Sequence, residues 1–151
     1  RKYIPMAFID GETVPSVDLF VAYGAEPWLF SILSSSMHNC WIRSVCGKLK
    51  NDYRYSTTLG YNTFPVPPLT PKQKENLTDS AMAILMAREN HTEMTLAQMY
   101  DPDKMPEDLR NAHDANDLLV DKLYQDKAFL NDEERLAKLF SMYEGLTKDK
   151  K

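Results

Sequence analysis

The sequence predicts an α+β fold, with short β-strands packed around a buried helix over residues 1–68 and an all-α domain over residues 69–151. Three observations predict it. Tyr3–Ile9, Val17–Tyr23 and Tyr53–Tyr61 are runs rich in β-branched and aromatic residues, set off by turn residues. Between the second and third runs lies a mostly apolar stretch at helical spacing. Beyond Phe64-Pro65-Val66-Pro67-Pro68, segment after segment opens on a helix-start signal.

In Tyr3–Ile9, Pro5 cannot donate to a ladder, which suits an edge or a bulge. Asp10-Gly11 is a turn dipeptide, and Val17–Tyr23 ends at Gly24. Glu26-Pro27-Trp28 opens a helix that Gly47 ends, since proline suits the first helical position and glycine the end, its apolar run interrupted by Ser34, Ser35, Ser36, His38 and Asn39. Trp28, Leu29, Ile32, Leu33, Met37, Cys40, Trp41 and Val45 cover more than half its circumference, so burial on several sides is expected. His38 and Asn39 read as hydrogen-bonded interior or rim residues, because no Cys or His stands at metal-ligand spacing from them. Gly60 is a candidate bulge in the third strand. The prolines at 65, 67 and 68 force extended backbone and a boundary between two units.

The second unit reads as helices. Thr70-Pro71-Lys72-Gln73 is a capping box, followed by a stripe of Leu77, Ala81, Ile84, Leu85 and Arg88. Thr95–Gln98 starts a short helix that stops before Asp101-Pro102, and Pro106-Glu107-Asp108 starts another with Leu109, Ala112, Leu119 and Leu123 inward. Asn131–Glu134 is a further capping box, ahead of the stripe Leu136, Leu139, Phe140, Tyr143 and Leu146; the Lys-rich tail after Gly145 should fray.

Composition narrows the function. The chain of 151 residues is 43% hydrophobic and 26% charged, as in globular domains, and no stretch approaches the roughly 18 apolar residues of a membrane span. It opens on Arg1-Lys2-Tyr3-Ile4-Pro5 without Met or a secretory leader, which is expected of an excised fragment or a processed product, and a cytoplasmic location is expected. Cys40 and Cys46 sit about 9 Å apart along one predicted helix at 1.5 Å per residue, too far to bridge, and are expected as buried thiols. The net charge of −4 divides unevenly: residues 1–68 hold six Lys/Arg against five Asp/Glu, residues 69–151 twelve against seventeen. A uniformly basic nucleic-acid binder is excluded, and any such contact belongs to the first half.

Enzymatic motifs are missing: no glycine-rich phosphate loop, nucleophile elbow, CxxC pair or HExxH occurs. His113, Asp114 and Asp117 could be imagined around a metal, but an exposed polar helix face accounts for them better. Asp101-Pro102-Asp103 before Glu107-Asp108 lacks the Glu-x-Lys of a nuclease site and reads as a turn feeding a helix. What remains is the basic, Tyr-rich segment Gly47–Ser56, with Lys48, Lys50 and Arg54 against Asp52. In extended backbone Lys50 and Asp52 project to one side. Lys donates to guanine O6/N7 and Asp accepts from cytosine N4, so together they suit the two halves of a G·C pair. Lys48 would serve phosphate and Arg54 phosphate or base. A solvated loop with packed tyrosines is the alternative.

The run Trp41–Ser56, followed by Tyr61-Asn62-Thr63-Phe64-Pro65-Val66-Pro67, resembles the MmeI-like family of bacterial DNA adenine methyltransferases, many of them fused to a restriction nuclease. Ala25-Glu26-Pro27-Trp28, Met37-His38 and Leu96…Tyr100-Asp101-Pro102-Asp103-Lys104-Met105-Pro106 are also similar to it. The resemblance implies that residues 1–68 end a target recognition domain and that 69–151 form the C-terminal helical domain. It implies base recognition by Lys50 and Asp52, with Lys48, Arg54 and Tyr55 contacting DNA backbone or bases. It further implies double-stranded DNA and an upstream methyltransferase domain of the same chain as partners. S-adenosylmethionine and the Asn-Pro-Pro-Tyr-type catalytic motif would lie upstream, leaving this part non-catalytic. The alternative is a non-enzymatic helical protein-interaction module with an incidental basic loop.

Overall fold

The computed structural model describes residues 3–17, 19–49, 52–53 and 55–148, with only the backbone described at 48, 49, 52 and 53. The elements are α1 (Pro27–Leu33), α2 (Ser36–Val45), β1 (Lys48–Leu49), β2 (Asp52–Tyr53), a π-helical turn (Thr57–Tyr61), α3 (Pro71–Glu89), α4 (Leu96–Met99), α5 (Glu107–Tyr124) and α6 (Asp132–Lys148). The α+β expectation is therefore corrected to an all-α architecture. Among the described residues β-pairing is confined to a two-residue ladder, which forms no sheet layer.

Each expected strand fails for a local reason. Tyr3 to Ile9 lies across the helices as a strap whose polar groups are taken by side chains. The Tyr3 hydroxyl donates to Asp117 Oδ2 at 2.8 Å, and the Met6 carbonyl accepts from Arg88 Nη1 at 2.6 Å. Tyr3 stacks on His113 at 4.2 Å and Phe8 on Phe30 at 5.4 Å. The described part of Val17–Tyr23 pairs with no strand, and Val17, Leu19, Phe20 and Tyr23 stay exposed. In the third run, Ser56 nucleates the π-helical turn: its Oγ accepts from Leu59 N, and its carbonyl accepts from the Gly60 and Tyr61 amides. Gly60 is not a bulge. It is buried in that turn against α2, where a Cβ would come within 2.4 Å of Ile42 Cδ1.

The single helix expected over 27–46 is two helices. Ser34 closes α1, and Ser35 turns to extended backbone, its Oγ accepting from the His38 amide at 3.3 Å to cap α2. Two adjacent residues of α5 hold this break. Asn116, fully buried, donates from Nδ2 to the Ser31 carbonyl at 2.9 Å and accepts through Oδ1 from the Ser31 and Ser80 hydroxyls. Asp117 accepts from the Ser36 amide at 2.7 Å and the Ser36 hydroxyl at 2.5 Å. Its carboxylate thus meets an orphan N–H where the helix dipole is positive.

The capping boxes form at Thr70/Gln73 and Thr95/Gln98, and Asn131 Oδ1 accepts from the Glu134 amide. Helix α6 continues through Gly145 to Lys148, residues 149–151 of the tail expected to fray lie outside the described residues, and of its stripe only Leu139 is buried, with Phe140 and Leu146 exposed. Two cores result, each built from both sides of residue 68. One joins Ile32, Met37, Trp41 and Phe64 to Leu77, Val120, Tyr124, Phe129 and Leu139. The other joins Tyr3 and Phe30 to Ala81, Ile84, Ala87, Met99, Tyr100 and Leu109. The Tyr124 hydroxyl donates to the Pro65 carbonyl at 3.0 Å, anchoring the extended prolyl connection.

Substituting Asn116→Ala leaves the Ser31 carbonyl and two hydroxyls without their partner in the interior, at an expected cost of about 2–4 kcal/mol. Urea denaturation of the chain and variant measures it, and a loss under about 0.5 kcal/mol would count against the role assigned to this side chain.

Candidate nucleic-acid interface

Helix α2 carries the basic segment at its C-terminal end. Cys46 leaves the helix in extended backbone (φ −92°, ψ 144°), with its amide still bonded to the Ile42 carbonyl, and leads through Gly47 into β1. Strands β1 and β2 pair antiparallel, Lys48 opposite Tyr53 and Leu49 opposite Asp52. Backbone pairing thus joins Lys48–Leu49 to Asp52–Tyr53, and the expectation that Lys50 and Asp52 share one side of extended backbone falls partly outside the described residues. Lys50 and Arg54 lie outside the described residues, and the side chains of Lys48 and Asp52 are likewise not described.

Tyr55 is described, and its hydroxyl turns inward. It lies 3.3 Å from His38 Nε2, while His38 Nδ1 lies 3.0 Å from the Leu33 carbonyl. A carbonyl only accepts, so Nδ1 carries the proton, Nε2 is the acceptor and Tyr55 donates. The Tyr55 ring also meets the edge of His38 and packs against Phe20, at 5.8 and 5.7 Å between centroids. Burial pushes the Tyr55 hydroxyl above the usual phenol range. Burial likewise pushes His38 down to about 4, so its imidazole is neutral at neutral pH. The reading of His38 as a hydrogen-bonded interior residue holds. Below the hairpin, Trp41 Nε1 donates to Thr63 Oγ1 at 3.1 Å and Phe64 packs edge-on to His38 at 4.8 Å. Both ends of the hairpin thus return to α2.

The other candidates resolve as structure. His113 and Asp117 do not sit on an exposed face: His113 is fully buried between Tyr3 and Tyr100, its Nε2 2.6 Å from the Tyr100 hydroxyl. Tyr100 in turn accepts from Arg88 Nε at 2.9 Å. Among the described residues no group of His, Cys, Asp and Glu is arranged to hold a metal. Asp101 Oδ1 accepts from the Asp103 amide at 3.0 Å, the expected turn. Cys40 and Cys46 are buried free thiols, and burial pushes Cys40 up to about 12. A groove of about 350 Å³ between α2, α5 and α6 is lined by Asp114, Asp117, Asp121 and Asp132 with Arg43 and Arg135. Arg135 holds Asp121 through two hydrogen bonds of 3.1 and 2.6 Å, and the surplus of carboxylates makes this face unsuited to a phosphate backbone. No helix of the described residues is long and apolar enough to cross a membrane.

Sequence reasoning missed the Tyr55–His38 bond and the Asn116–Asp117 pair. The signal for the pair was present: His113, Asn116, Val120 and Tyr124 recur at core spacing on α5.

The family description for the MmeI target recognition domain matches residues 1–68, and that for the MmeI C-terminal domain matches residues 69–150. The chain belongs to the MmeI family. Similar proteins include DNA methyltransferase A of Bacillus subtilis (strain 168), 43% identical over 147 residues, which are 97% of this chain and 17% of that protein. A solved structure of the Type IIL restriction-modification enzyme MmeI in complex with DNA superposes on 83% of this chain and 17% of its own, at 45% identity and a TM-score of 0.79. The chain thus spans 17% of the length of each relative. It carries the target recognition and C-terminal domains of the MmeI family, and the Tyr55–His38 hairpin stem falls within the recognition part.

His38 gives this site a pH dependence of definite sign. Its folded pKa is depressed below the ordinary 6.5, so its contribution is complete above about pH 6.5 and is lost as pH falls toward 4, by up to about 3 kcal/mol. Denaturation free energies between pH 7 and 4.5 should show this slope, shallower in His38→Gln; an equal slope in both would place its origin elsewhere.

Proposed function

We propose that this chain is the base-reading end and helical support of a bacterial restriction-modification enzyme, a DNA adenine-N6 methyltransferase that acts on double-stranded DNA in the cytoplasm. One observation carries the reading: the chain is 45% identical, at a TM-score of 0.79, to part of an enzyme solved in complex with DNA. The relative named DNA methyltransferase A, 43% identical, supports the methyl-transfer chemistry. In this reading Lys50 and Asp52 read one base pair in the major groove, Lys donating to guanine and Asp accepting from cytosine. Lys48 and Arg54 contact the DNA alongside them and fix the register. The ring of Tyr55 supports this group from the protein side.

No glycine-rich cofactor loop occurs in this sequence, which supports placing S-adenosylmethionine elsewhere in the polypeptide. The cofactor and the catalytic groups would belong to an upstream methyltransferase domain of the same polypeptide, and this part contributes recognition without chemistry.

In the full-length enzyme carrying this segment, the double substitution Lys50→Glu with Asp52→Arg should change one base of the methylated sequence and leave the others as they were. Mapping methylated adenines across a genome reads the outcome directly. An unchanged site would overturn the assignment of these two residues.

A further inference from the structure

We infer that His38, acting through Tyr55, positions the base-reading hairpin and so helps determine specificity at the base pair read by Lys50 and Asp52. The inference rests on the recognition role proposed above and adds two residues outside that pair.

The hairpin is short. Its ladder closes with Asp52 and Tyr53, and two residues later the chain reaches Tyr55. A two-stranded hairpin of this size is not stable by itself in water, so its position depends on what holds its ends. The first end is covalently continuous with α2. The second end is held where Tyr55 donates to His38 Nε2 at 3.3 Å, between the edge of His38 and Phe20.

His38 is well suited to hold it. It is fully buried, and its Nδ1–H is committed to the Leu33 carbonyl at 3.0 Å, which fixes both ring orientation and tautomer. The acceptor offered to Tyr55 is therefore set by the break between α1 and α2. That break is itself held by Asn116 and Asp117 on α5. Neutrality of the buried imidazole keeps Nε2 an acceptor throughout the neutral range. Bidentate base reading tolerates little displacement, because a hydrogen bond weakens steeply once distance or angle departs from its optimum. A hairpin released at Tyr55 would still carry its charges and bind DNA, but would discriminate less.

The test uses the full-length enzyme and compares methylation of the cognate site with sites altered at a single base pair. Tyr55→Phe retains the ring and its packing and removes one donor. It should lower discrimination about three- to tenfold at the base pair read by Lys50 and Asp52, and leave discrimination elsewhere in the site unchanged. His38→Gln, which can place an amide oxygen where Nε2 stood, should retain discrimination. His38→Asn, which keeps a donor for Leu33 but reaches no further, should lose it as Tyr55→Phe does. A uniform fall at all positions, or none, would overturn the positioning role. Equal behaviour of the two His38 variants would do the same. The Lys50/Asp52 double variant is run beside these. If it shifts the recognised base while Tyr55→Phe leaves discrimination intact, only the positioning role fails. If it shifts nothing, the recognition role fails and the inference falls with it.

Discussion

A carboxylate and an amide, side by side in the middle of a helix, hold this molecule in shape. Asp117 meets the first amide and the hydroxyl of α2 through Ser36, and Asn116 binds the carbonyl and hydroxyl of Ser31 one turn before the break. Without them the α1–α2 junction would leave the Ser36 amide and the Ser31 carbonyl unmet, where each unmet buried group costs about 1–3 kcal/mol. With them the chain turns sharply between two helices that are both buried. The same pair reaches further: Asp117 also accepts from Tyr3, and Asn116 from Ser80 on α3. Four parts of the chain meet at two residues.

The hairpin inherits this geometry. The direction of α2 sets where Cys46 releases the chain, and the Leu33 carbonyl at the same break orients His38, which receives Tyr55. The carboxylates of the helical half line a different groove, between α2, α5 and α6, where Arg135 and Arg43 partly balance them. Residues 69–151 carry the surplus of −5, so the positive charge proposed to meet DNA belongs to the first half.

The sequence was legible where a local rule acts alone. The capping box at Thr70, the helix starts at Thr95 and Asn131 and the extended prolyl run were readable because backbone chemistry within a few residues decides them. The strands were not, because β-propensity records fitness for a pleated surface, and Tyr3–Ile9 gives its hydroxyl and carbonyl to Asp117 and Arg88 instead. The inner face of α5 was misread because polar residues were taken to mark solvent, whereas His113, Asn116 and Asp117 are buried and bonded. The three serines that break the apolar helix were visible, but their effect depends on a partner some eighty residues away. Of the site, the basic, Tyr-rich segment was legible from composition and from the family resemblance, though as extended backbone and not as a paired ladder. The tie from Tyr55 to His38 needed the fold.

The Asp117 carboxylate and Ser36 are bonded partners at the start of α2 rather than neighbours by packing. A double-mutant cycle on the stability of the chain, using Ser36→Ala, Asp117→Ala and the pair, measures that bond. A coupling of about 1–3 kcal/mol is expected, as a charge-assisted hydrogen bond in a buried setting requires. Additive effects, with coupling within about 0.3 kcal/mol of zero, would show that the two side chains are no more than neighbours.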